Sequence, residues 1–176
     1  SAYRNLITSP RDMRIQLCNL VRQEAENARN GIPCGIVIKL NSMQDKEFID
    51  ELYAASQAGV KIKLIIRGMC CIRPGRKGLS ENIEVISIVD KYLEHSRVLI
   101  FANGGDERYY LASADWMSRN LDHRSEVAVP VYDPALQKQL KEFMMIQFRD
   151  NCKARMLNSG VDNTYVKASK GTLHRA

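Results

Sequence analysis

The chain has 176 residues, 45% hydrophobic and 26% charged, with 26 Lys and Arg against 20 Asp and Glu for a net charge of +6. That apolar fraction fills the core of one domain, or of a small domain with an appendage, and the dispersed, mixed charge argues against disorder. No apolar run approaches the roughly 18 residues of a membrane span, no Lys/Arg start precedes an apolar stretch as in a signal peptide, and the small positive excess suits an anionic ligand or solubility without singling out nucleic acid.

In chain order, Ser9-Pro10-Arg11-Asp12 predicts a helix start, with Ser9 as cap and Asp12 facing the positive helix end. Met13, Leu17, Leu20, Val21 and Ala28 follow on one helical face, and Asn30-Gly31 with Pro33 ends it. Cys34 to Leu40 is a short Ile- and Val-rich run, read as a buried strand. Ser42-Met43-Gln44-Asp45 resembles a capping box before a helix carrying Phe48, Ile49, Leu52, Tyr53 and Ala55, which stops at Gly59. Val60 to Ile66 is the next strand, so the spacing predicts a right-handed parallel βαβ unit.

Residues 67–78 hold three Gly, one Pro and four cationic side chains and read as a loop. Arg67 stands at the carboxyl end of a strand, where open α/β sheets bind ligands. Further strands are expected at about 83–88, 98–102, 109–113 and 126–132, with Asn103-Gly104-Gly105-Asp106 as a hairpin turn. Asp133-Pro134 opens a helix whose Leu136, Leu140, Phe143, Met144 and Phe148 share a face. The expected architecture is one mixed α/β sheet flanked by helices over residues 1–157, with a polar tail at 158–176, poorly ordered or docked elsewhere.

Cys18, Cys34, Cys70, Cys71 and Cys152 show no zinc spacing, so a reducing, cytoplasmic setting is expected, with Cys34 and Cys70 as core thiols. His95 and His123 each precede a strand beside arginines; each alone also reads as a surface polar residue. Arg67, Arg97, Arg119 and Arg124 fall at strand ends, where convergent guanidinium groups would bind phosphate; singly, each reads as solvated charge. Glu126, two residues beyond Arg124 on a strand, either orients that guanidinium or merely neutralises it. Asp115 is read as capping a helix at Trp116, a helix end suited to phosphate, and Trp116 as core. Walker A, GxGxxG, HExxH and GxSxG patterns do not occur.

Four ordered blocks carry a resemblance. They are Lys39-Leu40-Asn41-Ser42 with residues 45–50 and 52–56; Leu64-Ile65-Ile66-Arg67-Gly68-Met69-Cys70; residues 85–90 with Tyr92-Leu93-Glu94-His95-Ser96-Arg97; and residues 113–121 with Arg124-Ser125-Glu126-Val127. From about Arg11 to about Asp150 the chain closely resembles the C-terminal catalytic domain of bacterial polyphosphate kinase, type 1.

The resemblance implies a phospholipase D-like α/β fold, one half of a two-half active site to which each half gives a histidine. His95 and Arg97 take the place of that superfamily's His-x-Lys pair, and Ala102 the place of its aspartate, departures that disfavour lipid hydrolysis. The implied activity is reversible transfer of the terminal phosphate of ATP to inorganic polyphosphate, through a phosphohistidine on a preceding domain. Arg67 and His95 are the implied ATP-binding residues, and His95, Arg124 and Glu126 the implied catalytic ones. Magnesium is the implied cofactor, with ligands outside this chain. The implied partners are ATP or ADP, polyphosphate, the upstream domains and further copies of the chain, with no nucleic acid; the implied location is cytoplasmic or peripheral to the inner membrane. The alternatives are a stand-alone polyanion-binding module without transfer chemistry, or a structural oligomerisation domain.

Overall fold

The Ile- and Val-rich runs form the centre of one sheet. The computed structural model describes residues 5–89, 94–160, 162–167 and 173–175. Asp90, Tyr92 and Leu93 of the third block, and Lys170 and Gly171 of the tail, lie outside them. The elements are β1 (Ile7–Ser9), α1 (Met13–Arg29), β2 (Ile36–Leu40), α2 (Lys46–Gln57), β3 (Ile62–Ile66), β4 (Ile83–Ser87), β5 (Val98–Phe101), β6 (Arg108–Ala112), β7 (Glu126–Val131), α3 (Pro134–Phe148), β8 (Arg155–Leu157) and β9 (Thr164–Tyr165). Among the described residues the strands make one nine-stranded sheet, ordered β1-β7-β6-β5-β2-β3-β4-β8-β9. β2, β3 and β4 run parallel, and every other pairing is antiparallel.

The period of two along β2 separates the layers. Ile36, Ile38 and Leu40 face the core shared with Met13, Leu17 and Val21 of α1 and Phe48 and Leu52 of α2. Val37 turns to the other face, where Ile65, Ile86, Val98, Ile100 and Tyr109 pack with Met144 of α3. The result is a sheet between two helical layers, as the alternation of strand and helix patterns predicts. Trp116 is fully buried and stacks on Phe48 with ring centroids 4.1 Å apart, in the core role expected of it.

Three helix starts differ from the sequence expectation; at Ser9 and Asp115 a partner distant in sequence claims the polar side chain, and at Ser42 the nearby Asp45 takes the cap. α1 begins at Met13 and its N-cap, Asp12, makes no side-chain cap bond. Ser9 instead lies in β1, its hydroxyl 2.6, 2.8 and 2.7 Å from the carbonyl oxygens of Asn120, Leu121 and Arg124. α2 is capped by Asp45, which accepts from the Phe48 N–H at 3.2 Å, and Ser42 is no cap. No helix starts at Trp116; a π-helical turn, Arg119–His123, follows instead. Arg14 pins that turn, donating to Asp45 at 2.8 Å and to Asp122 at 2.7 Å.

The hairpin at Asn103-Gly104-Gly105 is as expected. All three have positive φ (46°, 71° and 104°), which glycine adopts without strain. β8 and β9 were not expected. Part of the polar tail therefore adds to the sheet, with Met156 opposite Thr164. All five cysteines are free thiols; Cys34 and Cys70 pack against the core but are only partly buried, Cys34 because it precedes β2 rather than opening it.

α3 carries a local cap that can be tested in isolation. Asp133 accepts from the N–H groups of Ala135 at 2.7 Å and Leu136 at 3.2 Å. Asp133→Ala is expected to cost about 1 kcal/mol in urea unfolding, with the slope unchanged.

Candidate active site

Register alone collects the site. Lys39 sits opposite Ile65 in β3 and opposite Val98 in β5, Val98 opposite Leu111 in β6, and Ala112 opposite Ala128 in β7. The segments leaving β2, β3 and β6 and those entering β5 and β7 thus emerge at one edge of the sheet. Asn41, Arg67, His95, Arg97, Ser113, Arg124 and Glu126 all occupy those segments.

At the centre an exposed imidazole lies between two guanidinium groups. Arg67 Nη2 is 3.0 Å from His95 Nδ1, and Arg97 Nη2 is 2.9 Å from His95 Nε2. A neutral imidazole accepts on one nitrogen only, so these two contacts are not equivalent. Each guanidinium is anchored in turn. Arg67 donates through Nε and Nη2 to Asn41 Oδ1, at 2.9 and 2.5 Å, and through Nη1 to the Glu94 carbonyl at 3.2 Å. Arg97 donates to the Asp115 carboxylate at 2.9 and 3.1 Å, a two-point pairing. Asp115 Oδ1 also accepts from the backbone N–H groups of Asn41 at 2.8 Å and Ser42 at 3.1 Å. The chain of contacts therefore closes on itself through Asn41.

Asp115 is thus an anchor and not a helix cap. Burial works to raise its pKa, but Arg97 and the two backbone N–H groups together outweigh that and hold it below the ordinary carboxylate value. Lys39 is buried behind the site, with its ammonium on Glu94, 2.8 Å from Gln147 Oε1 and 4.8 Å from the Phe143 ring centroid. Burial lowers its pKa to about 8, and the charge of Arg67 adds to the effect.

Arg67 and His95 are therefore brought into direct contact. Arg124 and Glu126 share the edge two strands away, and no ion pair joins them. The Glu126 carboxylate accepts from the Ser113 hydroxyl and, at 2.8 Å, from Asn120 Nδ2. The pairing fails because β7 begins at Glu126, so the strand alternation does not reach Arg124. Arg124 is exposed at the same edge, as is Arg119 in the π-helical turn. His123 ends that turn, exposed and away from the two-guanidinium cluster. Sequence reasoning missed the anchoring roles of Asn41 and Asp115, whose only sequence signal was their place just after strands.

A cluster of fixed positive charge with an imidazole at its centre, open to solvent, is suited to phosphate oxygens. Among the described residues no three His, Cys, Asp or Glu side chains gather in a way that could hold a metal ion. Among the described residues no helix is long and apolar enough to cross a membrane.

Comparison with known proteins follows the same line. Residues 6–176 match the family described as polyphosphate kinase C-terminal domain 2. A polyphosphate kinase from Escherichia coli is 50% identical over 161 residues, covering 92% of this chain and 23% of that protein. The crystal structure of polyphosphate kinase from Porphyromonas gingivalis superposes with a TM-score of 0.94 at 43% identity, over 99% of this chain and 27% of that one. A phospholipase D family member from Salmonella typhimurium shares the fold at 18% identity, with a TM-score of 0.63 over 88% of this chain and 97% of that one. The chain spans about a quarter of the length of the curated relatives it matches.

Proposed function

The chain belongs to the polyphosphate kinase family, as a C-terminal domain, and on that premise we propose that it supplies one half of an active site that passes the terminal phosphate of ATP reversibly to inorganic polyphosphate. The observation that carries this reading is the His95 imidazole held between Arg67 and Arg97 at the carboxyl edge of the sheet. The other half, in the longer protein, brings the histidine that is phosphorylated. In the forward direction the bond from the terminal phosphorus to the bridging oxygen of ATP breaks as the bond to that histidine nitrogen forms. ADP leaves, and the phosphorus–nitrogen bond then breaks as the terminal oxygen of the polymer bonds to the phosphorus, which frees the histidine and lengthens the polymer by one phosphate.

Such a transfer needs placement and charge neutralisation more than covalent help from this half. Arg67 binds ATP phosphate oxygens, its guanidinium fixed by Asn41 and the Glu94 carbonyl. His95 donates a hydrogen bond to the transferring phosphoryl group from whichever ring nitrogen bears the proton. Arg124 adds an exposed positive charge at the same edge, and Glu126 keeps the start of β7 in place through Ser113 and Asn120. Magnesium, held by residues in the rest of the protein, would offset phosphate charge.

The test separates transfer from mere binding. The full-length protein should make polyphosphate from ATP, whereas this chain alone should make none above a no-enzyme blank. Polymer synthesis by the isolated chain would overturn the shared-site reading. Absence of synthesis by the full-length protein, with polyphosphate still bound, would favour a polyanion-binding module.

A further inference from the structure

The edge that carries Arg67 continues beyond it. Ser87 lies opposite Arg155 in the β4–β8 ladder, and Arg155 opposite Tyr165 in the β8–β9 ladder. Ser87 Oγ also donates to the Arg67 carbonyl at 3.4 Å. Arg67 just past the end of β3, with Ser87 on β4, Arg155 on β8 and Tyr165 on β9, thus makes a row of four across neighbouring strand positions, spanning roughly 14 Å at the usual strand spacing of about 4.8 Å. With Lys153 and Asn163 they line an open groove of about 590 Å³.

The chemistry of the groove is one-sided. Its described lining holds the cations Arg67, Lys153 and Arg155 and no Asp or Glu. The partners of Arg155 are neutral: its Nη2 donates to the Tyr165 hydroxyl at 2.8 Å, and its guanidinium lies 4.5 Å over the Tyr165 ring. A row of cations without counter-charge, leading away from Arg67, fits a linear polyanion.

We propose that this groove is a subsite for inorganic polyphosphate, holding phosphates of the polymer beyond the one that reacts near Arg67 and His95. The proposal rests on the kinase reading above. Lys153 and Arg155 neutralise successive phosphates, and the Arg155–Tyr165 contact holds the guanidinium across the β8–β9 hairpin.

The experiment uses the full-length kinase, run in the direction that forms ATP from ADP and polyphosphate. Lys153→Gln and Arg155→Gln are made singly and together, and KM is measured for long and for short polyphosphate. The double variant should raise the ratio of long-chain to short-chain KM by about tenfold, as expected for losing charge-assisted contacts that only a long chain reaches. The long-chain KM should also depend less steeply on salt. Lys138→Gln, on the exposed face of α3, should leave both values unchanged. Lys153→Gln alone, on an exposed side chain that the hairpin does not need, should give about threefold, so a hairpin loosened by Arg155→Gln does not blur the result. An unchanged ratio in the folded double variant overturns the proposal, and so does a rise in the KM for ADP instead. If the unmodified enzyme transfers no phosphate, it is the kinase reading that has failed, and this is seen before any variant is made.

Discussion

His95→Ala in the full-length kinase is expected to slow phosphoryl transfer by about two to four powers of ten while leaving the melting temperature unchanged. The imidazole is exposed and packs into no core, so its removal leaves no cavity. What goes is the ring that both guanidinium groups touch, at 3.0 and 2.9 Å. Without it Arg67 and Arg97 keep their anchors on Asn41 and Asp115, so the fold has no reason to give way. His123 is the natural control, since it too sits beside arginines just before a strand. It lies at the end of the π-helical turn, outside the cluster, and His123→Ala should stay within about threefold of the unmodified enzyme. Steady-state kinetics and thermal melts on both variants decide the matter. An inactive His123→Ala beside an active His95→Ala would remove the site from where it is placed above.

Asp115→Ala is the substitution with the largest expected cost in stability, about 3–5 kcal/mol. The carboxylate is the two-point partner of Arg97, and their side chains are only 7% and 13% exposed. Removing it leaves a largely buried guanidinium without its counter-charge and two backbone N–H groups, of Asn41 and Ser42, without their acceptor. A loss of that size lowers the melting temperature by roughly 10 °C in a chain of this length. Asp115→Asn keeps the shape and one acceptor oxygen, and should cost less than half as much. The two variants separate the charge from the hydrogen bonds. Equal melting temperatures for Asp115→Ala and the unmodified protein would show that Arg97 does not depend on this partner.

The sheet centre was readable because β2, β3 and β4 are buried on both faces, and their near-continuous Ile and Val runs have few other solutions. The βαβ unit, the hairpin at Asn103 and the α3 cap at Asp133 all follow from signals within a few residues. Ser9, Ser42 and Asp115 were misread for one shared reason. Each has a short polar side chain that suits a helix cap, but Ser9 and Asp115 bond groups far away in sequence, and Asp45 caps where Ser42 was expected to. Local chemistry cannot rank those choices. β8 and β9 were illegible because three and two residues carry no period; they are strands only because β4 offers them an edge. In the site, Arg67 and His95 stood out by their place at strand ends and by the family resemblance. The ring of contacts through Asn41, Arg97 and Asp115 depends on which strands are neighbours, and no spacing in the sequence encodes that.

The outer margins of the sheet bear on how copies of this chain meet one another. One margin is β1, three residues long, and the other is β9, two residues long. So brief a border offers an incoming strand few unpaired N–H and C=O groups, too few for a ladder to propagate from molecule to molecule. The longer strands inside these margins are paired on both sides over much of their length; the stretch of β7 beyond β1, Val129 to Val131, includes Pro130, which has no N–H to donate. At high concentration the folded chain should therefore resist strand-to-strand polymerisation and fibre formation, and when copies associate they should do so through helical surfaces or connecting loops.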